Sequence, residues 1–123
     1  MPELRTGVDL VDINRFITVC ERYEERLLNR LFTPVELAEN GRNRLSLAAR
    51  FAAKEAVVKA LGTGIGPVSW HDIEVCRGAS GEPILHLYGA AQSMAENLQL
   101  THWSLSLSHT QNDAIAFVIA MGD

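Results

Sequence analysis

Hydrophobic positions change their spacing near the middle of the chain, and this change predicts where helices give way to strands. A short strand is predicted over Glu3–Asp9. From Asp12 to Leu31 apolar residues recur at helical spacing, with Asp12 placed as an N-cap. Leu45–Leu61 is rich in alanine, contains no Gly or Pro, and stops at the loop Gly62–Pro67, which predicts a helix buried on nearly every side.

The remaining pattern alternates short strands with short helices. Thr33 and Glu36 have the spacing of a capping box, which predicts a short helix ending near Gly41. Two hairpins are predicted on either side of one further helix. The first hairpin consists of Trp70–Arg77 and Ile84–Tyr88, the helix is Ala90–Leu98, and the second hairpin consists of His102–Ser108 and Ala114–Met121. This order predicts an α+β fold, an antiparallel sheet packed with helices, in a single domain over residues 1–123.

Composition narrows the class of protein. The chain has 123 residues, 47% of them hydrophobic, and a net charge of −4, which argues against a nucleic-acid binder. No apolar run is long enough for a membrane span, and the first residues do not resemble a signal peptide. Cys20 and Cys76 lack CxxC spacing, so we expect a cytoplasmic protein without a disulfide framework.

Charged residues inside the apolar helix are the first candidate site. Arg50, Lys54, Glu55 and Lys59 are embedded in Leu45–Leu61, and buried charges must be paired or bind a ligand. Glu55 and Lys59 are four residues apart, so an intrahelical ion pair is one explanation. The other is a ligand site.

Asp9 is the second candidate, because it is placed at the end of a strand. It could cap the following helix, or it could share a Mg²⁺ ion with Glu55, since Mg²⁺ often binds one or two carboxylates plus substrate phosphates. Lys59 would then offset phosphate charge. Nothing local in the sequence brings residues 9 and 55 together.

Three further features each have a structural interpretation that is weighed against a functional one. The arginines of the first helix form a stripe that is either solvated or a docking surface for an acidic protein; they are Arg15, Arg22, Arg26 and Arg30. His109 follows an alternating strand and could bind phosphate, act as a base, or be structural. The glycines of 62–66 match neither nucleotide-binding loop pattern and fit a helix stop.

These features coincide in one family. The chain resembles the bacterial holo-acyl-carrier-protein synthases, the small phosphopantetheinyl transferases of fatty-acid synthesis, over almost its whole length. The resemblance is carried by the segments GVDLVDI at 7–13, Phe32-Thr33 with Glu36, RFAAKEA at 50–56, KALG at 59–62 and LSLSH at 105–109. It implies a phosphopantetheinyl transferase fold and a Mg²⁺-dependent transfer of phosphopantetheine from coenzyme A to a serine of an acyl carrier protein.

The resemblance also implies residue roles. Asp9 and Glu55 match metal ligands, and Val11 stands where longer relatives carry a second acidic residue, so water would complete the metal shell. Glu55 and Lys59 would be catalytic, and coenzyme A would contact Arg50, Lys59, Gly62, Gly81, Pro83 and His109. Arg15, Arg22 and Arg26 match the helix that docks the carrier protein. The resemblance to the short members of the family further implies a homotrimer with coenzyme A bound between neighbouring subunits.

Two other functions remain open at this point. A module that binds carrier protein or coenzyme A without catalysis would use the same residues, and a Mg²⁺-dependent phosphohydrolase would replace the serine by water. The acceptor of the serine proton is also open between Glu55, a metal-bound water and the substrate.

Overall fold

The computed structural model describes residues 3–41 and 43–122. Its strands are β1 (Glu3–Asp12), β2 (Ile73–Arg77), β3 (Pro83–Leu87), β4 (His102–His109) and β5 (Asp113–Gly122). Its helices are α1 (Ile13–Leu31), α2 (Pro34–Asn40), α3 (Arg44–Leu61) and α4 (Gly89–Asn97), with a 3-10 turn at Trp70–Asp72. The α+β architecture predicted from the sequence is confirmed.

The strands form two antiparallel sheets. One has the order β1-β5-β4 and the other pairs β2 with β3. β1 is longer than predicted, since pairing with β5 continues to Asp12 opposite Asp113. Asp9 therefore lies inside the strand, opposite Ala116, and does not end it. The cap of α1 is Asp12, whose side chain accepts a hydrogen bond from the backbone N–H of Arg15.

Helix α3 packs against one face of the three-stranded sheet and forms the centre of the core. Its alanines 48, 52, 53, 56 and 60 are buried, which allows close approach of the strands. Gly7 of β1 makes the tightest approach: a Cβ there would lie 1.8 Å from the Ala56 carbonyl oxygen. Gly62 ends α3 in the left-handed region with φ 74°, as glycine commonly does at a helix C-terminus.

Helix α1 is interrupted, which the periodic pattern did not predict. Glu24 has φ 53° and ψ −137°, so two helical segments meet there. The uninterrupted helix predicted for Asp12–Leu31 is therefore wrong at this residue. The arginine stripe does not continue as one helical face, because Arg26 lies beyond the break and Arg15 and Arg22 lie before it.

The short helix α2 begins with the predicted capping box. Thr33 Oγ1 accepts from the Glu36 N–H, and Glu36 Oε1 accepts from the Thr33 N–H at 2.9 Å. No helix within the described part of the chain is long and apolar enough to cross a membrane.

Candidate active site

A groove of about 570 Å³ lies between β1, α1, α3 and the Trp70 turn. One end carries the charged side chains of Asp9, Glu55 and Lys59. The rest of its lining is mainly apolar and includes Phe16, Val19, Leu27, Leu31, Phe51 and Trp70. The fold thus joins the strand aspartate and the helix glutamate that are far apart in sequence. We call this cavity the carboxylate groove.

Lys59 is paired with Asp9 across the groove. Its Nζ lies 2.9 Å from Asp9 Oδ1 and also donates to the Val8 carbonyl at 3.1 Å. The intrahelical Glu55–Lys59 pair considered from spacing is therefore not the contact that Lys59 makes. The Lys59 side chain is 54% exposed, so the expectation that it is buried is wrong. Its end is accessible to a ligand in the groove.

Glu55 is half-buried beside Asp9. Burial and the negative charge of Asp9 raise the pKa of Glu55, and the Lys59 ammonium opposes the rise. Two adjacent carboxylates in a partly buried groove repel each other, and a divalent cation relieves that repulsion. No group of three or more His, Cys, Asp or Glu residues is placed to hold a metal within residues 3–41 and 43–122. The donor set fits a cation that takes part of its shell from water and substrate.

Arg50 and His109 meet in a second cavity, of about 270 Å³, at the start of α3. Arg50 is 8% exposed, and its Nε has no hydrogen-bond partner among the described residues. Burial and the nearby Arg77 guanidinium lower the pKa of Arg50. A buried guanidinium with an unused donor beside a histidine is suited to an anionic ligand. We call this cavity the Arg50 pocket.

The Arg50 pocket and the carboxylate groove have separate linings in one chain. Arg50 and Glu55 are five residues apart on α3, which places them about 140° apart around the helix axis. The sequence-predicted coenzyme A residues are thus divided between different surfaces. Gly62 does not line the groove; its backbone N–H donates to the Lys59 carbonyl at the end of α3. Pro83 lines a third cavity between β3 and β4. Gly81, with φ 84°, lies in the exposed turn before β3.

The predicted docking arginines are also divided. Arg15 lines the carboxylate groove. Arg22 lies over the ring of Tyr23, with its guanidinium carbon 5.6 Å from the ring centroid. Arg26 is exposed beyond the helix break.

The structure contains a buried ion pair next to the carboxylate groove that the sequence pattern did not predict. Lys54 and Glu36 are both fully buried, with Lys54 Nζ 2.7 Å from Glu36 Oε1. Burial lowers the pKa of Lys54, against the opposing effect of the Glu36 carboxylate. The apolar surroundings of Lys54 in α3 indicated that its charge needs a partner, and the structure shows that this partner is Glu36 of α2. Glu36 therefore both completes the capping box of α2 and pairs with Lys54.

A second buried carboxylate, Glu74 on β2, adjoins this pair. Thr33 Oγ1 donates to Glu74 Oε2 at 2.6 Å, and the Tyr88 hydroxyl donates to Oε1 at 3.2 Å. Burial acts to raise the pKa of Glu74, but hydrogen bonds from Thr33, Cys76 and Tyr88 outweigh it and lower the pKa. Burial and Glu74 raise the pKa of the Cys76 thiol to about 12, so the thiol stays protonated as a donor.

Comparison with known protein families gives the class of protein to which this fold belongs. A family model described as the 4'-phosphopantetheinyl transferase superfamily matches residues 5–118. The chain belongs to this superfamily.

Curated relatives and solved structures narrow the similarity within the superfamily. The chain is 45% identical to the holo-[acyl-carrier-protein] synthase of Herpetosiphon aurantiacus, over 97% of this chain and 99% of that one. It is 48% identical to the synthase of Desulforudis audaxviator, over 97% and 93% of the two chains.

The fold of the chain is also similar to solved structures of such synthases. The enzyme of Neisseria meningitidis superposes with a TM-score of 0.86 at 37% identity, covering 94% of this chain and 96% of that one. The Helicobacter pylori synthase, solved in complex with coenzyme A, gives a TM-score of 0.85 at 31% identity, covering 94% and 98%. The resemblance noted in the sequence is confirmed.

Proposed function

We infer that this chain is a holo-acyl-carrier-protein synthase. It transfers the phosphopantetheine group of coenzyme A to a serine hydroxyl of an apo-acyl carrier protein and releases adenosine 3',5'-bisphosphate, in fatty-acid biosynthesis. The observation that carries this conclusion is near-full-length identity of 45–48% to two such synthases. The groove that joins Asp9, Glu55 and Lys59 supplies the matching chemistry.

The residues of the groove fit phosphoryl transfer. The serine oxygen forms a bond to the phosphorus that carries pantetheine, and the bond from that phosphorus to the oxygen of the adenosine 5'-phosphate breaks. Negative charge grows on the leaving phosphate, where the exposed ammonium of Lys59 can stabilise it. The nucleophile belongs to the carrier protein, so the chain needs only to bind, orient and neutralise. We propose Glu55, the half-buried carboxylate of the groove, as the acceptor of the serine proton, with a metal-bound water and the substrate itself as the alternatives.

We propose that Asp9 and Glu55 together hold Mg²⁺. The support is their shared groove and the raised pKa of Glu55, which reflects burial and the neighbouring Asp9 charge. When bound, Mg²⁺ would neutralise the pyrophosphate and favour departure of the leaving group. Val11 is buried and apolar, so it supplies no third carboxylate.

A mass-shift assay tests the function. Apo-acyl carrier protein is incubated with coenzyme A, Mg²⁺ and the chain, and the mass of the carrier protein is followed. We expect a gain equal to one phosphopantetheine group and an equal yield of adenosine 3',5'-bisphosphate. Binding of both substrates with no mass gain would support a non-catalytic module instead. Release of free phosphopantetheine without labelling of the carrier would indicate a phosphohydrolase.

We propose that the carrier protein docks beside the groove. Arg15 lines it and Arg22 lies on the same helical segment, so both present positive charge to an acidic carrier. Arg26, exposed beyond the helix break, is the third proposed contact. Complementary charge of this kind mainly orients and accelerates encounter.

We propose a homotrimer with coenzyme A bound between subunits. The outward face of the three-stranded sheet supports it, since three rows of paired residues are exposed and apolar: Leu4 with Met121, Val8 with Phe117, and Leu10 with Ile115. A contiguous apolar patch of this kind is typical of an interface between copies. The separation of the Arg50 pocket from the carboxylate groove within one chain also supports a trimer. In a trimer, a neighbouring copy would supply the remaining coenzyme A residues to the groove of the first copy: Arg50, His109, Gly81 and Pro83.

We further propose a single transferase domain over residues 1–123 and a cytoplasmic location. The supports are one continuous core shared by the helices and sheets, and two free cysteines, Cys20 and Cys76. Free thiols are the usual state in a reducing compartment.

A further inference from the structure

The buried Lys54 side chain joins four parts of the molecule behind the carboxylate groove. Its ammonium pairs with Glu36 Oε1 of α2 at 2.7 Å and donates to the Trp70 carbonyl at 2.9 Å. It also donates to the Ile73 carbonyl at the start of β2. An ammonium has three N–H donors, so all of its donors are used by partners from α2, the Trp70 turn and β2.

Each partner of Lys54 is connected to the groove or to its frame. Glu36 Oε2 accepts from the Val75 N–H at 2.8 Å, which ties α2 to β2. Trp70 lines the carboxylate groove, and its ring lies 5.2 Å from that of Phe51 on α3. Glu55 is the next residue after Lys54, and successive side chains on a helix point about 100° apart. Fixing Lys54 on one side of α3 therefore fixes the direction of Glu55 on another.

We propose that Lys54 is a positioning residue for the transfer reaction, which sets the orientation of Glu55 and the place of Trp70 in the groove through its contacts with Glu36, Trp70 and Ile73. Lys54 does not itself line the groove. It acts by holding α3 in one rotation against α2 and β2. This inference rests on the proposed function, because its catalytic consequence is a change in phosphopantetheine transfer.

The test compares Lys54→Met with a matched core variant, Val118→Ala on β5. Met keeps the apolar stem and removes the ammonium, whereas Val118 is a fully buried core residue of the sheet. Both are made in a Trp103→Phe background, where Trp70 is the sole tryptophan because the chain contains two. Four quantities are measured: melting temperature, Trp70 emission, Mn²⁺ affinity by electron paramagnetic resonance, and kcat and carrier KM.

We expect Lys54→Met to lower kcat by about tenfold or more, since small misplacement of a reacting group has effects of that order. Mn²⁺ affinity should fall and Trp70 emission should shift to the red, with carrier KM little changed. Val118→Ala should lower the melting temperature without these three effects. If Lys54→Met matches Val118→Ala in kcat, Mn²⁺ affinity and emission, Lys54 is merely structural and the proposal is wrong.

A second variant keeps the test decisive if Lys54→Met does not fold. Glu36→Gln keeps the shape of the side chain and removes the charge that pairs with Lys54, and we expect the same changes at smaller size. Unchanged kcat and Trp70 emission in a folded Glu36→Gln chain would overturn the proposal. If the unaltered chain transfers no phosphopantetheine, the proposed function fails, whereas Mn²⁺ affinity and Trp70 emission still decide whether Lys54 shapes the groove.

Discussion

The Lys59 ammonium lies 2.9 Å from the Asp9 carboxylate, although the two residues are 50 positions apart in the sequence. This contact crosses from α3 to β1 and places an exposed positive charge in the groove. Because Lys59 is also 54% exposed, we propose that its ammonium meets the phosphate of an incoming substrate.

We expect Lys59→Met to lower kcat by about 100-fold, because loss of one donor to developing negative charge commonly has that effect. Folding should persist, since the side chain is 54% exposed. Steady-state transfer kinetics and circular dichroism measure the two effects. Lys59→Arg keeps the charge and should recover part of the rate. Full activity in Lys59→Met would exclude Lys59 from the reaction.

Glu55→Gln should remove most Mg²⁺-dependent transfer with no loss of folding stability at neutral pH. The folded-state pKa of Glu55 lies above its ordinary value of 4.5, so its ionisation disfavours folding as pH rises through that range. Above the raised pKa, the neutral glutamine should leave stability unchanged or higher. Denaturant unfolding at neutral pH and Mn²⁺ titration measure these effects. Normal Mn²⁺ affinity in Glu55→Gln would remove it from the metal site.

The raised pKa of Glu55 also affects metal binding, because a protonated carboxyl is a poor metal ligand. As the pH falls, metal affinity should therefore begin to decrease at a higher pH than it would for a glutamate of ordinary pKa. Asp9→Asn removes one of the two causes of the raised pKa, the neighbouring charge, and should bring the pKa of Glu55 down. Carbon NMR of the Glu55 carboxyl in the metal-free chain follows this directly. An unchanged titration in Asp9→Asn would show that burial alone sets the pKa.

Reversal of Arg15 and Arg22 to Glu should raise the KM for carrier protein far more than the KM for coenzyme A. The reason is that like charges would now oppose the acidic partner, and the increase should shrink at high salt. Arg30→Glu is a control for charge reversal on the same helix, because Arg30 lines a different cavity and is not one of the three proposed contacts. Equal increases for both substrates would contradict the docking surface.

Tyr88→Phe should destabilise the chain slightly near neutral pH, since it removes a hydrogen bond to ionised Glu74. The folded-state pKa of Glu74 lies below 4.5, so its stabilising effect is present above that value and disappears as pH falls through the lower one. The difference in melting temperature from the unaltered chain should therefore shrink in acid. Tyr23→Phe, at similar exposure, should show no such pH dependence.

Phe117→Asp should convert the proposed trimer to monomers and lower transfer activity. Phe117 is 42% exposed in the centre of the apolar sheet face, where a buried carboxylate would prevent association. Sedimentation velocity measures the assembly state. Ser106→Asp, opposite Phe117 on β4, tests whether the interface also covers the polar side of the face. A monomeric unaltered chain with full activity would refute the trimer.

Local patterns predicted most of the fold. Capping residues and turn glycines located α2, the end of α3 and the first hairpin, because these signals act within a few residues. The second hairpin was predicted from the alternation of His102–Ser108 and the apolar run Ala114–Met121. The break at Glu24 was not predictable from periodicity, since apolar spacing continues across it. Pairing of β1 to Asp12 depended on β5, which is distant in sequence, so the strand appeared shorter than it is.

Individual site residues were recognisable, but their partners were not. Asp9, Glu55 and Lys59 stood out as charges in apolar segments, yet spacing suggested Glu55 as the partner of Lys59 and the structure gives Asp9. Lys54 was visible as a charge, but its pairing with Glu36 requires α2 to fold against α3. Contacts between distant segments are set by packing, which a one-dimensional pattern does not contain.

The missing side chain at Gly7 ties the assembly of the reaction centre to the folding of the core. Gly7 precedes Asp9 by two residues, and Ala56, its backbone neighbour, directly follows Glu55. The separation of the two carboxylates is therefore governed by main-chain contact between β1 and α3. A chain that has formed this contact has also brought its two carboxylates together, so the site needs no later adjustment of loops to exist.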